Sequence, residues 1–143
     1  MNREILFRGK RIDNGEWVFG NYYESGISGV YILTNKTRKT INAKTREITL
    51  RDEPIPNEVD PSTVCEYTGL TDKNGTTIFE GDIARGKYGS TVYQNEVIFA
   101  GGGFALRHSY DQYGYCASLE EHEGLEVIGN IFDHPELLEE NNT

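Results

Sequence analysis

Apolar positions along the chain come in short runs that mostly alternate with polar ones, a pattern that predicts strands rather than helices. Glu4-Ile5-Leu6-Phe7-Arg8 reads as a first strand, and Asp13-Asn14-Gly15 as a hairpin turn, because Asn-Gly tolerates the positive φ of tight hairpins. Trp17 to Tyr23 is a second strand, with Trp17, Phe19 and Tyr23 on one face and Val18 and Tyr22 on the other. Val30 to Thr34 is a third, and Thr40 to Leu50, which alternates poorly, is one long strand or two short ones. Glu53 to Ser62 holds Pro54, Pro56 and Pro61 and predicts a connector, since proline removes a ladder donor. Val64–Thr68, Thr77–Phe79, Ile83–Arg85, Thr91–Ala100, Phe104–His108 and Val127–Phe132 continue as strands, with Asp72-Lys73-Asn74-Gly75 as a further hairpin turn. Gly101-Gly102-Gly103 lies between two apolar runs and lacks the Lys-Ser/Thr of a phosphate loop, so it reads as a turn.

Only the tail carries helix signals. Asp133-His134-Pro135-Glu136 offers an acid at the N-cap and a proline in the first turn, with Leu137 and Leu138 to dock the turn on the body. Asn141-Asn142-Thr143 is expected to fray. The expected fold is therefore mainly β, built as small barrels or a sandwich, with a short C-terminal helix. The 143 residues suit one domain. Within it the pattern separates an N-terminal β lobe (1–52), a connector (53–61), a second β lobe (62–132) and an acidic helical tail (133–143).

Three blocks carry a family likeness. They are Arg3-Glu4-Ile5-Leu6-Phe7-Arg8; then Tyr67-Thr68-Gly69-Leu70-Thr71-Asp72-Lys73-Asn74-Gly75 with Ile78-Phe79-Glu80-Gly81-Asp82-Ile83; and Glu126-Val127-Ile128-Gly129-Asn130-Ile131-Phe132 with Pro135-Glu136-Leu137-Leu138. Together they resemble the YopX family, small proteins encoded by phages, prophages and mobile elements of bacteria. The resemblance implies a mainly β fold with an SH3-like barrel in the second half. It implies a bacterial host as the setting, and it carries no reaction with it. The glycines and Asp82 in these blocks also have a structural reading, as turn, bulge and backbone-bonding residues.

Charge changes the picture. The chain carries 14 Lys and Arg against 23 Asp and Glu, a net −9. All of that excess lies after Arg107, where Asp111, Glu120, Glu121, Glu123, Glu126, Asp133, Glu136, Glu139 and Glu140 meet no Lys or Arg. Residues 35–51 run the other way, with Lys36, Arg38, Lys39, Lys44, Arg46 and Arg51 against Glu47, a local +5. This basic segment, with the nearby rings of Trp17 and Tyr22, is the candidate binding patch. It suits a protein partner from host or phage, a second copy of the chain docked through its acidic end, or, as the weaker reading, nucleic acid.

Other chemistry finds little support. No apolar h-region opens the chain and no run approaches the roughly 20 residues of a membrane span, so a cytoplasmic protein is expected. Cys65 and Cys116 form no C-x-x-C motif and are expected to be thiols. Cys116 with His108 or His122 is the one nucleophile–base pair that can be drawn, and no motif supports it. His108, Cys116, His122 and His134 have ligand chemistry but match no metal-site spacing. The expectation is a non-enzymatic binding protein without metal or cofactor.

Overall fold

The structure, a computed structural model, describes residues 4–109 and 115–139. The chain divides into two compact units, Ile5–Val64 and one made of Glu4 and the described residues from Cys65 onward. Both are antiparallel β, so the fold is mainly β with one short helix near the C-terminus, as the residue pattern predicts.

The first unit has four strands, β1 (Phe7–Lys10), β2 (Trp17–Ser25), β3 (Gly29–Ile41) and β4 (Ile48–Glu58), in the order β4-β3-β2-β1. Register places Tyr22 beside Ile32, Glu24 beside Val30 and Gly9 beside Val18. The face bearing Val18 and Tyr22 is thus the core face. Its buried centre is Val30, Ile32 and Val59, flanked by Phe7, Val18 and Val64. A bridge between Arg11 and Val59, with Ile12 N–H donating to the Glu58 carbonyl at 3.1 Å and Asp60 N–H to that of Lys10 at 2.8 Å, ties the end of β4 to the end of β1. The sheet thereby curls into a barrel-like shell.

The proline-rich stretch 53–61, expected as a connector, is mostly strand. Pro54 and Pro56 lie inside β4, and only Pro61–Thr63 leaves the sheet, as a single 3-10 turn. An edge strand has one side without a ladder, and two prolines spaced by two residues both turn their missing N–H to that side. The first strand also begins later than expected, at Phe7. The Thr40–Leu50 stretch is two strands with a turn between them.

The second unit holds the hairpin β5 (Cys65–Thr71) and β6 (Thr77–Phe79). It also holds a five-stranded sheet of β7 (Asp82–Tyr88), β8 (Thr91–Ala100), β9 (Gly103–Arg107), β10 (Cys116–Ser118) and β11 (Glu123–Asn130), in the order β10-β9-β8-β7-β11. Ile78, Ala84, Val97, Leu106 and Leu119 form its core. Gly101 and Gly102 make the β8–β9 hairpin, where Ala100 faces Gly103. Asp82, almost wholly buried, accepts the Phe79 N–H at 2.8 Å, the backbone-bonding role expected of it. At Gly129 the β11 register shifts and the His134 ring comes within 2.7 Å of where a Cβ would stand. The tail forms one helical turn, α1 (Glu136–Glu139), held to β8 by the Gln94 Nε2 bond to the Leu137 carbonyl at 3.2 Å. The expected fraying of Asn141–Thr143 concerns positions outside the described residues.

Candidate functional site

The basic segment folds into an arm. β3 and β4 pair without interruption from Tyr31–Glu58 to Ile41–Ile48, whereas β2 leaves β3 after the Asn21–Leu33 pair. Beyond that point β3 pairs only with β4 among the described residues, and every residue from Asn35 to Asp52 is exposed.

The turn at the end is built by Asn42. Its N–H donates to the Glu47 carbonyl and its carbonyl accepts from Arg46, both at 2.9 Å, while its side-chain oxygen accepts the N–H groups of Lys44 and Thr45. The β1–β2 turn repeats the same two backbone bonds, from Arg11 to Glu16 and from Gly15 to Arg11. In that turn the left-handed position is Gly15, at φ 71°; here it is Arg46, at φ 63°. An L-residue there costs roughly 1–2 kcal/mol that glycine does not. The arm therefore keeps a guanidinium at its tip against the preference of its own backbone.

Cross-strand register sorts the arm's side chains. One face carries Lys36 opposite Glu53 and Arg38 opposite Arg51; Arg38 also reaches the Glu53 carboxylate at 3.5 Å. The other pairs Lys39 with Leu50 and Ile41 with Ile48, and these three apolar side chains are 57–66% exposed. Lys44 and Arg46 sit in the turn. Thr37 Oγ1 donates to Asp52 at 2.9 Å. With Asp52 and Glu53 folded back alongside the bases, the +5 of residues 35–51 becomes +3 over 35–53.

Trp17 and Tyr22 are placed elsewhere. Trp17 faces Lys10 where β2 pairs with β1, with the Arg8 guanidinium 4.5 Å and the Lys10 ammonium 5.4 Å from its ring centre. Tyr22 packs on Phe7 at 5.5 Å and donates its hydroxyl to Glu24. The structure spreads the six bases over both faces and the turn of the arm and leaves these rings in the sheet body. On the outer face of that body, Phe19 and Tyr23 are about half exposed, with Tyr23 against Tyr31 at 6.3 Å.

A family model described as YopX protein matches residues 6–139. The chain belongs to the YopX family. The crystal structure of protein EF1440 from Enterococcus faecalis is similar to it at 25% identity, covering 96% of this chain and 99% of that one with a TM-score of 0.59. No curated protein matches the chain.

The second unit of this YopX-family chain adds one constellation that sequence spacing conceals. His108 and His122 meet Nε2 to Nε2 at 2.8 Å, and His122 Nδ1 is 2.8 Å from the Ser118 carbonyl. Tyr93 stacks on His108 at 3.7 Å, and Tyr88 lies against both rings. Only one proton fits between the facing nitrogens, so the pair is stable with at least one ring neutral. Burial, then the neighbouring His122, pushes the His108 pKa below its ordinary 6.5. The unfolded chain then binds a proton that the folded chain resists, so stability is full above about 6.5 and falls as pH drops below it. Thermal unfolding between about pH 7.5 and about pH 5.5 is expected to show this loss. His108→Phe, which keeps the stack on Tyr93, is expected to flatten the profile; an unchanged slope in that variant would refute the assignment.

The pair absorbs both histidines of the candidate thiol site. Cys116 is exposed on β10 and Cys65 is buried, with no disulfide between them. Among the described residues no group of three or more His, Cys, Asp or Glu is placed to hold a metal ion. No described helix is long and apolar enough to cross a membrane. Burial raises the carboxyl pKa of Glu96 and of Glu80; the Glu80 charge adds to the rise at Glu96, Arg107 opposes it, and Glu66 adds to the rise at Glu80. Of the acids after Arg107, Glu126 meets Lys73 at 3.2 Å, and the strand register sets Glu123 opposite Lys87. Asp111 and Glu140 lie outside the described residues.

Proposed function

We propose that this YopX-family protein is a phage- or prophage-encoded, non-enzymatic accessory or regulatory protein. It acts in the cytoplasm of the bacterial host through protein–protein contacts. The observation that carries the reading is the arm. Two strands alone are marginal; these two have no third strand beside them among the described residues and keep Ile41, Ile48 and Leu50 exposed on one face. Exposed apolar groups on a projecting element mark a contact surface. A photo-crosslinking amino acid placed at Leu50 in producing cells tests this. The expected result is a covalent adduct to another protein that survives nuclease and disappears when Ile48→Asp is added. Adducts to nucleic acid alone would overturn the reading.

One observation favours a nucleic-acid module using residues 36–51 as the second reading. Arg38 and Arg51 are directly opposite on one face, a placement that repels unless an anion sits between them. A two-stranded ribbon also fits a DNA major groove. Oligonucleotide binding that weakens steeply between about 0.05 and 0.2 M salt, and is lost in Lys36/Arg38/Lys39→Ala, would favour this reading. No binding at low salt removes it.

A further inference from the structure

We propose that the open edge of β3, from Asn35 to Ile41, takes up an extended strand of a partner protein whose side chains alternate between carboxylates and apolar groups. The proposal rests on the protein-binding reading of the arm and names the chemistry of its occupant. Val59 donates its N–H to the Val30 carbonyl at 3.0 Å, so even-numbered positions of β3 turn their backbone groups to β4 and odd-numbered ones to the other side. β2 covers that other side only as far as Leu33. The N–H and C=O groups of Asn35, Thr37, Lys39 and Ile41 therefore face no strand among the described residues. The β4 edge is less open, because Pro54 and Pro56 occupy its outward positions and the Glu58 carbonyl already accepts from Ile12. A seven-residue edge suits the strand lengths that proteins add to sheets.

Charge selects the occupant. A strand laid along this edge places its alternate side chains beside Lys36 and Arg38 on one face and beside Lys39 and Ile41 on the other. Carboxylates answer the first face. A second copy fits poorly, because two β3 edges paired about Arg38 would set arginine against arginine. Of the chain's own late acids, Glu126 moreover already meets Lys73 at 3.2 Å. Nucleic acid leaves Ile41, Ile48 and Leu50 without an apolar partner.

The test uses the whole protein and a labelled, end-capped nine-residue peptide alternating Glu and Val, with an alternating Lys and Val peptide as control. Fluorescence anisotropy is expected to show binding of the acidic peptide only, and exchange at the amides of Asn35, Thr37, Lys39 and Ile41 is expected to slow. Arg38→Glu is expected to weaken binding about tenfold through the charge. Lys39→Pro removes an edge donor that no strand among the described residues uses and is expected to weaken it at least about tenfold beyond Lys39→Ala. Equal affinities of Lys39→Pro and Lys39→Ala overturn edge addition, as does failure of the folded parent to bind the acidic peptide. Arg46→Gly relieves the turn without touching the edge and serves as the folding control. Sedimentation showing arm-dependent dimers, or an oligonucleotide outcompeting the peptide, overturns the choice of occupant. Protein adducts at Leu50 without peptide binding sink this inference and leave the protein-binding reading standing; no protein adducts sink both.

Discussion

Asp72→Ala is expected to destabilise the second unit by about 3 kcal/mol, lowering the melting temperature by roughly 10 °C. The carboxylate is buried and accepts three backbone N–H groups: Asn74 at 2.8 Å and Thr76 at 2.9 Å through Oδ1, and Val127 at 2.9 Å through Oδ2. It therefore shapes the β5–β6 turn and pins that turn to β11, beside the Lys73 N–H bond to the Leu125 carbonyl at 2.9 Å. Alanine leaves all three donors without their acceptor, and an orphaned buried donor costs far more than the net worth of a hydrogen bond. Asp72→Asn is an incomplete remedy, because one oxygen becomes an NH₂ group facing another N–H. Burial alone pushes the Asp72 carboxyl up, but the three N–H donors and the Lys73 charge hold it below its ordinary 3.8. Its contribution is thus present above that value and is lost as pH falls through the lowered one. Urea titrations of parent and variant at neutral pH check the magnitude. A variant melting within about 2 °C of the parent would show that other acceptors replace the carboxylate.

Gly20→Ala is expected to cost about 3 kcal/mol in the first unit. A Cβ at this position overlaps the carbonyl oxygen of Leu33. The obstacle is backbone, so no side-chain rotation relieves it, and β2 and β3 must part at the Asn21–Leu33 pair, the root of the arm. Faster amide exchange from Tyr22 to Glu24 and from Val30 to Leu33 is the expected local signature. Gly26→Ala is the control, since nothing stands within 4 Å of its Cβ position. Equal stability of the two variants would show that the strands separate here without strain.

Most strand positions were legible because most of the strands outside the arm bury one face. Val18 and Tyr22 alternate with Trp17, Phe19 and Tyr23 since Ile32 and Val30 wait on one side. The arm was not legible for the converse reason. Neither of its faces meets a core, so nothing imposes alternation on Thr40–Leu50, and its turn hides a left-handed Arg46 where the sequence signal would be glycine. The prolines of β4 misled for a related reason: proline excludes only a strand hydrogen-bonded on both sides, and sequence does not say which strand stands at an edge. The His108–His122 pair lacked any signal, because fourteen positions of separation close only through the β9–β10 pairing and the turn after Ser118.

Sequence alone determined the mainly β class, the family blocks, the location of the acidic excess after Arg107 and the basic stretch before it. These depend on local pattern and composition. Tertiary structure decided that the basic stretch is a two-stranded arm with Lys36, Arg38 and Arg51 on one face and Ile41, Ile48 and Leu50 beside Lys39 on the other, and that Trp17 and Tyr22 stand apart from it. It also showed that one of the late acids, Glu126, meets a lysine of its own unit. Those outcomes turn on cross-strand register and on where β2 stops pairing, which depend on contacts distant in the chain. Net charge thus describes the whole molecule poorly, because the arm carries the opposite sign on a surface of its own.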